Sequence, residues 1–455
     1  MSNGYDINGK QLRSHMTWSP DPGMTEKRIS KELIRQATLF EENVKGSTLR
    51  NGNIRLVEFT EIFLKNYAYP NLKLRTAFGY EQKMERVNQA LGHIKLKELK
   101  PAHIASFYGN LQENGMRMGT ETATCKIDFR KWMAMHNINP ATIDKSSEIS
   151  SRALKTLARG GTISGKNAII IANFMGLNPS EVFNISKDMT PLSAGTIQTY
   201  HRVLSAVLSK AVKWGYIANN PASNAELPSI AGQEAAYLDE PDARRLLELL
   251  KNEPIKWRTI IIFDLLSGIR RGELAGLRWN DIHEETQTIE ISQTSNYLPG
   301  MGIFPDTPKS HTSKRSLRLS QSAFILLGEY KQWQEEREKR LGDVWKNTDN
   351  RIFTTETGTP IFPDSITRWF TNFVKRSGLP KVTLHSLRHT YASLMISDGV
   401  DIVSVAHQLG HAQPSTTANI YAHVIAAAEA RAAQTFDKFN DVLDIEEPQQ
   451  NKQNK

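Results

Sequence analysis

Thr383-Leu384-His385-Ser386-Leu387-Arg388-His389-Thr390, followed by Leu409-Gly410-His411 and then Tyr421, is the stretch on which the reading of the whole chain turns. It gathers two imidazoles, a guanidinium and a phenol near the C-terminus. His385, Arg388 and His389 fall at i, i+3 and i+4, so a helix there carries them on one polar, basic face. Leu384, Leu387 and Leu394 turn toward the core. Three readings stand side by side at this point. The histidines are ordinary helix surface; or they hold a metal; or the face binds an anion. A zincin-type metal helix needs Glu beside the first histidine, where this chain has Ser386, and Arg388 between the histidines repels a cation. For an anion the set is apt, because arginine is a planar, permanently charged donor for phosphate and imidazole adds donors and proton transfer. That reading requires the rest of the chain to supply a nucleophile and a phosphate-bearing substrate.

The composition is compatible with such a substrate. The chain has 455 residues and a formal net charge of +9, a balance that favours a polyanionic partner. At that length two to four domains are expected. A single cysteine, Cys125, rules out an internal disulfide and a cysteine-based zinc cluster and fits a reducing cytoplasm. Met1 to Lys10 is polar, with no apolar core of a secretory signal. The strongest apolar run, Thr259–Leu266, is far too short to span a bilayer. A cytoplasmic protein without membrane contact is the expectation.

Upstream, turn formers in residues 1–23 bracket a short segment, Gln11–Trp18, that reads as a strand or hairpin edge. A helix follows Thr25, with Ile29, Leu33, Ile34, Ala37 and Phe40 at helical spacing, and ends near Gly46-Ser47. Residues 54–114 read as helices, one of them over Leu74 to Leu91. A matching helix recurs at Thr196–Trp214. Between these halves lies an insertion, about 120–188, with the pattern of five short helices. Its informative part is Ser150-Ser151-Arg152-Ala153-Leu154-Lys155-Thr156-Leu157, where Ser150 caps a helix, Leu154 and Leu157 face in and Arg152 and Lys155 face out. The insertion resembles the helix-turn-helix of the lambda repressor and Cro group over nearly 60 residues, departing from it in the second helix at Pro140, Asp144, Ser147 and Glu148. That resemblance implies base reading by Ser151, Arg152 and Lys155; a helical spacer is the other reading. Residues 222–236 read as a linker.

The catalytic half opens with Leu238-Asp239-Glu240-Pro241 capping a helix. Then come Gly268-Ile269-Arg270-Arg271-Gly272-Glu273, a strand over Ile282–Gln293, Pro308-Lys309-Ser310 on the loop of a β-hairpin, and a basic strand, Lys314-Arg315-Ser316-Leu317-Arg318-Leu319. A further short strand pair is expected around Ile352-Phe353 and Gly358–Ile361. The order Gly-x-Arg-x-Gly-Glu, Pro-Lys-Ser, His-x-x-Arg-His, Leu-Gly-His and a tyrosine ten residues on resembles the tyrosine recombinase (phage integrase) family. Each motif is weak alone; five in this order are specific.

The resemblance implies a multidomain fold: mainly α N-terminal DNA-binding domains and a mixed α+β catalytic domain with a small antiparallel sheet. Residues 1–50 then correspond to a shortened arm-binding-like segment, 54–118 with 190–224 to a split core-binding domain, 120–188 to the inserted domain, 236–440 to the catalytic domain and 441–455 to a disordered tail. It carries catalytic roles to Arg270, Lys309, His385, Arg388, His411 and the nucleophile Tyr421, with Glu273 in support. His389 and His423 match common family residues without an assigned role. The implied reaction cleaves and rejoins DNA through a covalent 3′-phosphotyrosyl link, with arginines in place of metal ions and no cofactor. The implied partners are double-stranded attachment sites, three further copies of the chain, and an excisionase or a host DNA-bending factor. The implied setting is integration and excision of a phage or mobile element. A regulator acting only through the insertion and a type IB topoisomerase are the alternatives. The intact Tyr421, Arg270 and Arg388 speak against the first, and the two-part front half against the second.

Overall fold

A computed structural model describes residues 2–5, 11–13, 15–20, 23–47, 53–140, 148–230, 236–306, 315–422 and 424–426. The chain divides into two units, Met1–Ala231 and Gly232–Lys455.

In the first unit, β1 (Ser2–Tyr5) and β2 (Gln11–Arg13) pair antiparallel, and α1 (Glu26–Ser47) follows. The apolar residues of α1 are not all covered, since Leu33 and Ile34 are exposed. The helical core is built from α2 (Leu56–Phe63), a π-turn at Leu64–Ala68, the one-turn α3 (Tyr69–Asn71), α4 (Leu74–Leu91), α5 (Pro101–Leu111) and, much later, α10 (Ala194–Lys213). Pro101 opens α5 at the position where a missing N–H costs nothing. Ser193 caps α10 by accepting the Thr196 amide at 3.3 Å. Ile197, Leu204, Val207, Leu208 and Ala211 of α10 recur every three or four residues and are fully buried against Phe59, Phe63, Val87 and Ile104. Each large side chain buried there contributes about 1.5–3 kcal/mol.

The insertion leaves and re-enters this core through a ribbon. Arg117 pairs with Asp188 at 3.0 Å, and the Gly115 amide donates to the Met189 carbonyl at 3.0 Å. Strand β3 (Thr122–Cys125) then pairs antiparallel with β5 (Phe183–Ser186), Thr122 opposite Ser186 and Cys125 opposite Phe183. On its other edge β3 takes β4 (Ile163–Ser164). The expected pattern of five short helices is therefore incomplete, since it did not include these strands. Among the described residues the insertion holds α6 (Phe129–Met135), α7 (Ser151–Leu157), α8 (Gly165–Met175), the four-residue α9 (Pro179–Val182) and a three-stranded sheet. Its entering and leaving strands satisfy each other's backbone groups, a pairing over more than fifty residues that no local pattern reveals. Residues 141–147, which hold most of the segment read as the second helix, lie outside the described residues. Phe129, Leu154, Leu157, Ile171 and Phe183 form a core of their own. Ser150 caps α7 as expected, accepting the Ala153 amide.

The second unit is organised around α12 (Ile255–Ser267), which is apolar on nearly every side. Ile260, Ile261, Phe263 and Leu265 are buried, as befits a helix surrounded by others. Packed on it are α11 (Glu240–Leu250), α14 (Gln321–Leu341), α15 (Pro363–Ser377) and α16 (Leu384–Ser397). The short α13 (Arg271–Leu274) follows α12 directly, and α17 (Ile402–Leu409) and α18 (Pro414–Ile420) close the described chain. The segment Ile282–Gln293, expected as one strand, folds back on itself. It is β6 (Ile282–His283) and β7 (Thr288–Ile291), joined by a turn in which Gln287 takes φ +51. A hairpin, β8 (Thr294–Leu298) with β9 (Gly302–Asp306), comes next. Then β10 (Arg315–Arg318) returns to β7 in the order β10-β7-β6. The expected pair near Ile352 is a single bridge, Thr354 to Pro360.

Candidate active site

The site forms around the C-terminal end of α17. A helix ends with carbonyls that have no intrahelical partner and with the negative pole of its dipole. Here three successive carbonyls each accept from a different arginine. Arg315 Nε donates to Gln408 at 2.8 Å, Arg388 Nη2 to Leu409 at 2.6 Å and Arg270 Nη2 to Gly410 at 2.9 Å. Gly410 ends the helix in the left-handed conformation, φ +66, and a Cβ there would stand 2.8 Å from the Arg315 guanidinium. Glycine alone meets both demands, which gives the Leu-Gly-His motif a physical reason.

The second anchor is the end of α12. Gly268 ends that helix at φ +58, and its carbonyl accepts Arg388 Nη1 at 2.8 Å. A Cβ on Gly268 would stand 2.5 Å from the Tyr391 ring. Arg388 thus bridges two helix ends. It is only 3% exposed, so the expected basic surface face of α16 is corrected: the guanidinium turns beneath the helix. Burial, then the nearby Arg270 charge, lowers its pKa to about 10.

Glu273 holds two of the arginines. It accepts Arg270 Nη1 at 2.9 Å and Arg315 Nη2 at 3.0 Å, and it accepts the Arg270 amide at 3.0 Å. Arg315 and Glu273 form a fully buried pair, whereas the Arg270 side chain is 40% exposed. Burial pushes the Glu273 carboxyl up, but hydrogen bonds and charge from Arg315, with Arg270, outweigh it and hold the group below its ordinary value. Arg271 lies outside this cluster, on the surface with Asp364 at 2.7 Å.

Replacing Glu273 with glutamine leaves two guanidinia without their carboxylate. Unfolding titrations at neutral pH are expected to show a loss of about 3–5 kcal/mol, the usual cost of breaking a buried pair. A loss under about 1 kcal/mol contradicts this ion-pair account. The sign with pH follows from the lowered carboxyl. Its stabilisation is complete above the unfolded carboxyl's ordinary value and disappears as pH falls through the folded one, so the glutamine variant lacks that acid-side loss.

Tyr421 is 2% exposed, packed with Ala392, Ile396, Val405, Leu409 and Val424. Burial pushes its phenol up to about 12, with Arg388 pulling the other way. Its Oη is 2.8 Å from His389 Nδ1, and the His389 ring meets His385 edge-on at 4.9 Å. The phenol's partner is thus His389, to which sequence assigned no role, and not His385. His411 Nδ1 lies 2.8 Å from Thr417 Oγ1. Burial first, then neighbouring charge, lowers His389 and His411 to about 4, so both imidazoles are neutral near pH 7. The structure brings Arg270, Glu273, His385, Arg388, His411 and Tyr421 together. Lys309 and His423 lie outside the described residues. Arg315 was missed as a site residue; the alternation of β10, which buries Arg315 and Leu317 and exposes Ser316 and Arg318, was the available signal. Among the described residues no metal-ligand group of three or more His, Cys, Asp or Glu is present.

In the insertion, Arg152 and Lys155 are exposed on α7. Ser151 donates its hydroxyl to the Pro140 carbonyl.

Residues 236–427 match the phage integrase family, and residues 55–112 match the phage integrase N-terminal SAM-like domain. A tyrosine recombinase XerC-like protein of Caldanaerobacter subterraneus subsp. tengcongensis is 28% identical over 262 residues, 54% of this chain and 66% of that protein. The ICEBs1 integrase of Bacillus subtilis is 27% identical over 56% of this chain and 67% of its own length. The match thus spans about two thirds of these relatives. In fold, the chain is similar to the Tn1549 transposon integrase, solved in complex with transposon right end DNA. The TM-score is 0.57 at 18% identity, covering 84% of this chain and 98% of that one. Among the described residues no helix is long and apolar enough to cross a membrane.

Proposed function

With its catalytic and N-terminal SAM-like domains the chain belongs to the phage integrase family, and we propose that it is a site-specific DNA recombinase serving a phage or mobile element. One observation carries the proposal. Three guanidinia converge with a single carboxylate beside three imidazoles and a phenol. The uncompensated positive charge calls for an anion, and a phosphodiester beside a phenol is a substrate for transesterification.

In this reading Arg270 and Arg388 hold the nonbridging oxygens, where charge grows in the transition state. Arg315 and Glu273 hold Arg270 and the α17 end in place. His411 adds a donor. Tyr421 attacks phosphorus, its proton passing to an imidazole; His389, already in contact, is the first acceptor, and His385 orients it. Lys309 protonates the leaving 5′ oxygen. The phosphotyrosyl ester keeps the energy of the broken diester, so rejoining needs no ATP. DNA is the partner, as for the transposon integrase solved with DNA. Four copies on paired sites, a cytoplasmic setting, and an excisionase or DNA-bending factor complete the proposal.

The test is a nicked suicide substrate carrying the attachment site, incubated without metal. A covalent 3′-phosphotyrosyl adduct is expected, and its absence on the cognate site overturns the proposal.

The inserted domain is proposed to make a second DNA contact through Arg152 and Lys155. Replacing residues 122–186 by one glycine spans the gap between the paired ends, since directly opposed antiparallel residues are about 4.5–5.5 Å apart. Cleavage of a minimal core site is expected to survive. The slope of log affinity against log salt is expected to fall by about one for each lost phosphate contact. Unchanged affinity and slope would leave the domain a spacer.

A further inference from the structure

One buried acid stands outside the arginine cluster. Asp264 lies on α12, one turn before Gly268, and its backbone carbonyl accepts the Gly268 amide at 2.9 Å. Gly268 in turn holds Arg388. The Asp264 side chain is 2% exposed, and its Oδ1 has no hydrogen-bond partner among the described residues. It lines a cleft of about 310 Å³ whose other walls include Arg271, Thr367, Thr383 and His385.

A buried carboxylate without a partner pays a large desolvation cost and keeps its proton instead. Burial, the largest influence, and then Glu273 raise Asp264 well above the usual carboxyl range, against the pull of Arg388. The groups facing it are His385 and Arg388 from α16 and Arg271 and Glu273 from α13. From α15 comes the uncharged Thr367. The buried side chains of α11 are apolar, and those of α14 carry no charge, being Ala323, Leu327, Tyr330 and Gln334. A protonated carboxyl is a donor. Across the cleft, His385 is its complement: partial burial and the Arg388 and Arg270 charges hold the imidazole below its usual value, so it is neutral and one nitrogen accepts. Among the described residues that ring meets His389 edge-on. An imidazole acts reliably only when a partner on one nitrogen fixes its tautomer and orientation.

We propose that Asp264 is a positioning residue for His385, its carboxyl O–H donating across the shared cleft to an imidazole nitrogen. The cleft, to which Thr367 and Thr383 also contribute, is roomy enough for a bridging water to carry the bond. No proton is transferred; the bond sets the tautomer. The inference rests on the recombinase reading given above. Ionisation of Asp264 removes the donor and adds negative charge close to the phosphate, so cleavage falls as pH rises through the Asp264 value.

Two measurements on the full chain test it. Infrared difference spectra of wild type against Asp264→Asn at neutral pH are expected to show a protonated-carboxyl band that the variant lacks. No such band overturns the proposal, whatever the protein's activity. Adduct formation on the nicked substrate is expected to slow on the order of 10- to 100-fold in Asp264→Ala, with DNA affinity unchanged. Asp264→Asn, which keeps shape and an N–H donor, is expected to recover most of that rate and to lose the alkaline fall. An alanine variant that cleaves like wild type at every pH overturns the positioning role. A wild type that forms no adduct instead overturns the recombinase reading, and the role at His385 with it.

Discussion

Replacing Tyr421 with phenylalanine is expected to abolish the covalent protein–DNA adduct while leaving duplex binding intact. The phenol oxygen is the atom that becomes bonded to phosphorus, so its removal leaves no slower route to the same product. The cost to the fold is small. The variant loses one hydrogen bond to His389, worth about 0.5–1.5 kcal/mol, and keeps the ring that packs among Val405, Leu409 and Val424. Denaturing gels after incubation with the nicked substrate read the adduct, and a mobility shift reads binding. An adduct that persists in the variant removes Tyr421 from the nucleophile's role and points to another side chain. The buried position of the phenol adds a kinetic expectation. Burial pushes the phenol up to about 12, so attack needs an imidazole to take the proton and adduct formation is expected to slow as pH falls through the imidazole values.

Arg388→Lys is the second large effect. The guanidinium reaches two carbonyls at once, Gly268 and Leu409, on the ends of two different helices. A lysine presents one compact ammonium and cannot reproduce that planar fork. The rate of adduct formation is expected to fall on the order of 10³-fold. Losing one preorganised donor costs about 10²–10³, and an arginine that meets a transferring phosphoryl group is worth more. Binding is expected to weaken far less, because the whole basic surface shares it. A lysine variant within tenfold of wild type shows that Arg388 serves the fold alone.

How far the sequence could be read follows from the range of the interactions. Helices with clear periodicity or a side-chain cap were legible: the Leu74–Leu91 helix has those bounds in the structure, and Ser150 caps α7. The order of short motifs was legible because those among the described residues lie at helix ends, where composition is constrained. What escaped depends on pairings distant in sequence. Arg315 reads as one more residue of a basic strand until the end of α17 meets it. His389 reads as a spare histidine until Tyr421, thirty-two positions on, meets it. Arg388 seemed a surface residue because helical spacing gives direction but not the reach of a long side chain. The inserted sheet escaped because β3 and β5 are distant in sequence and β4 has only two residues.

The β3–β5 ribbon has a consequence for ancestry. The insertion begins and ends at neighbouring points, Thr122 facing Ser186, and carries a core of its own. A gene segment encoding such a unit can be gained, lost or exchanged between lineages without re-routing the host polypeptide. One seam can thus accept a module of different make while the helices of the host core keep their places.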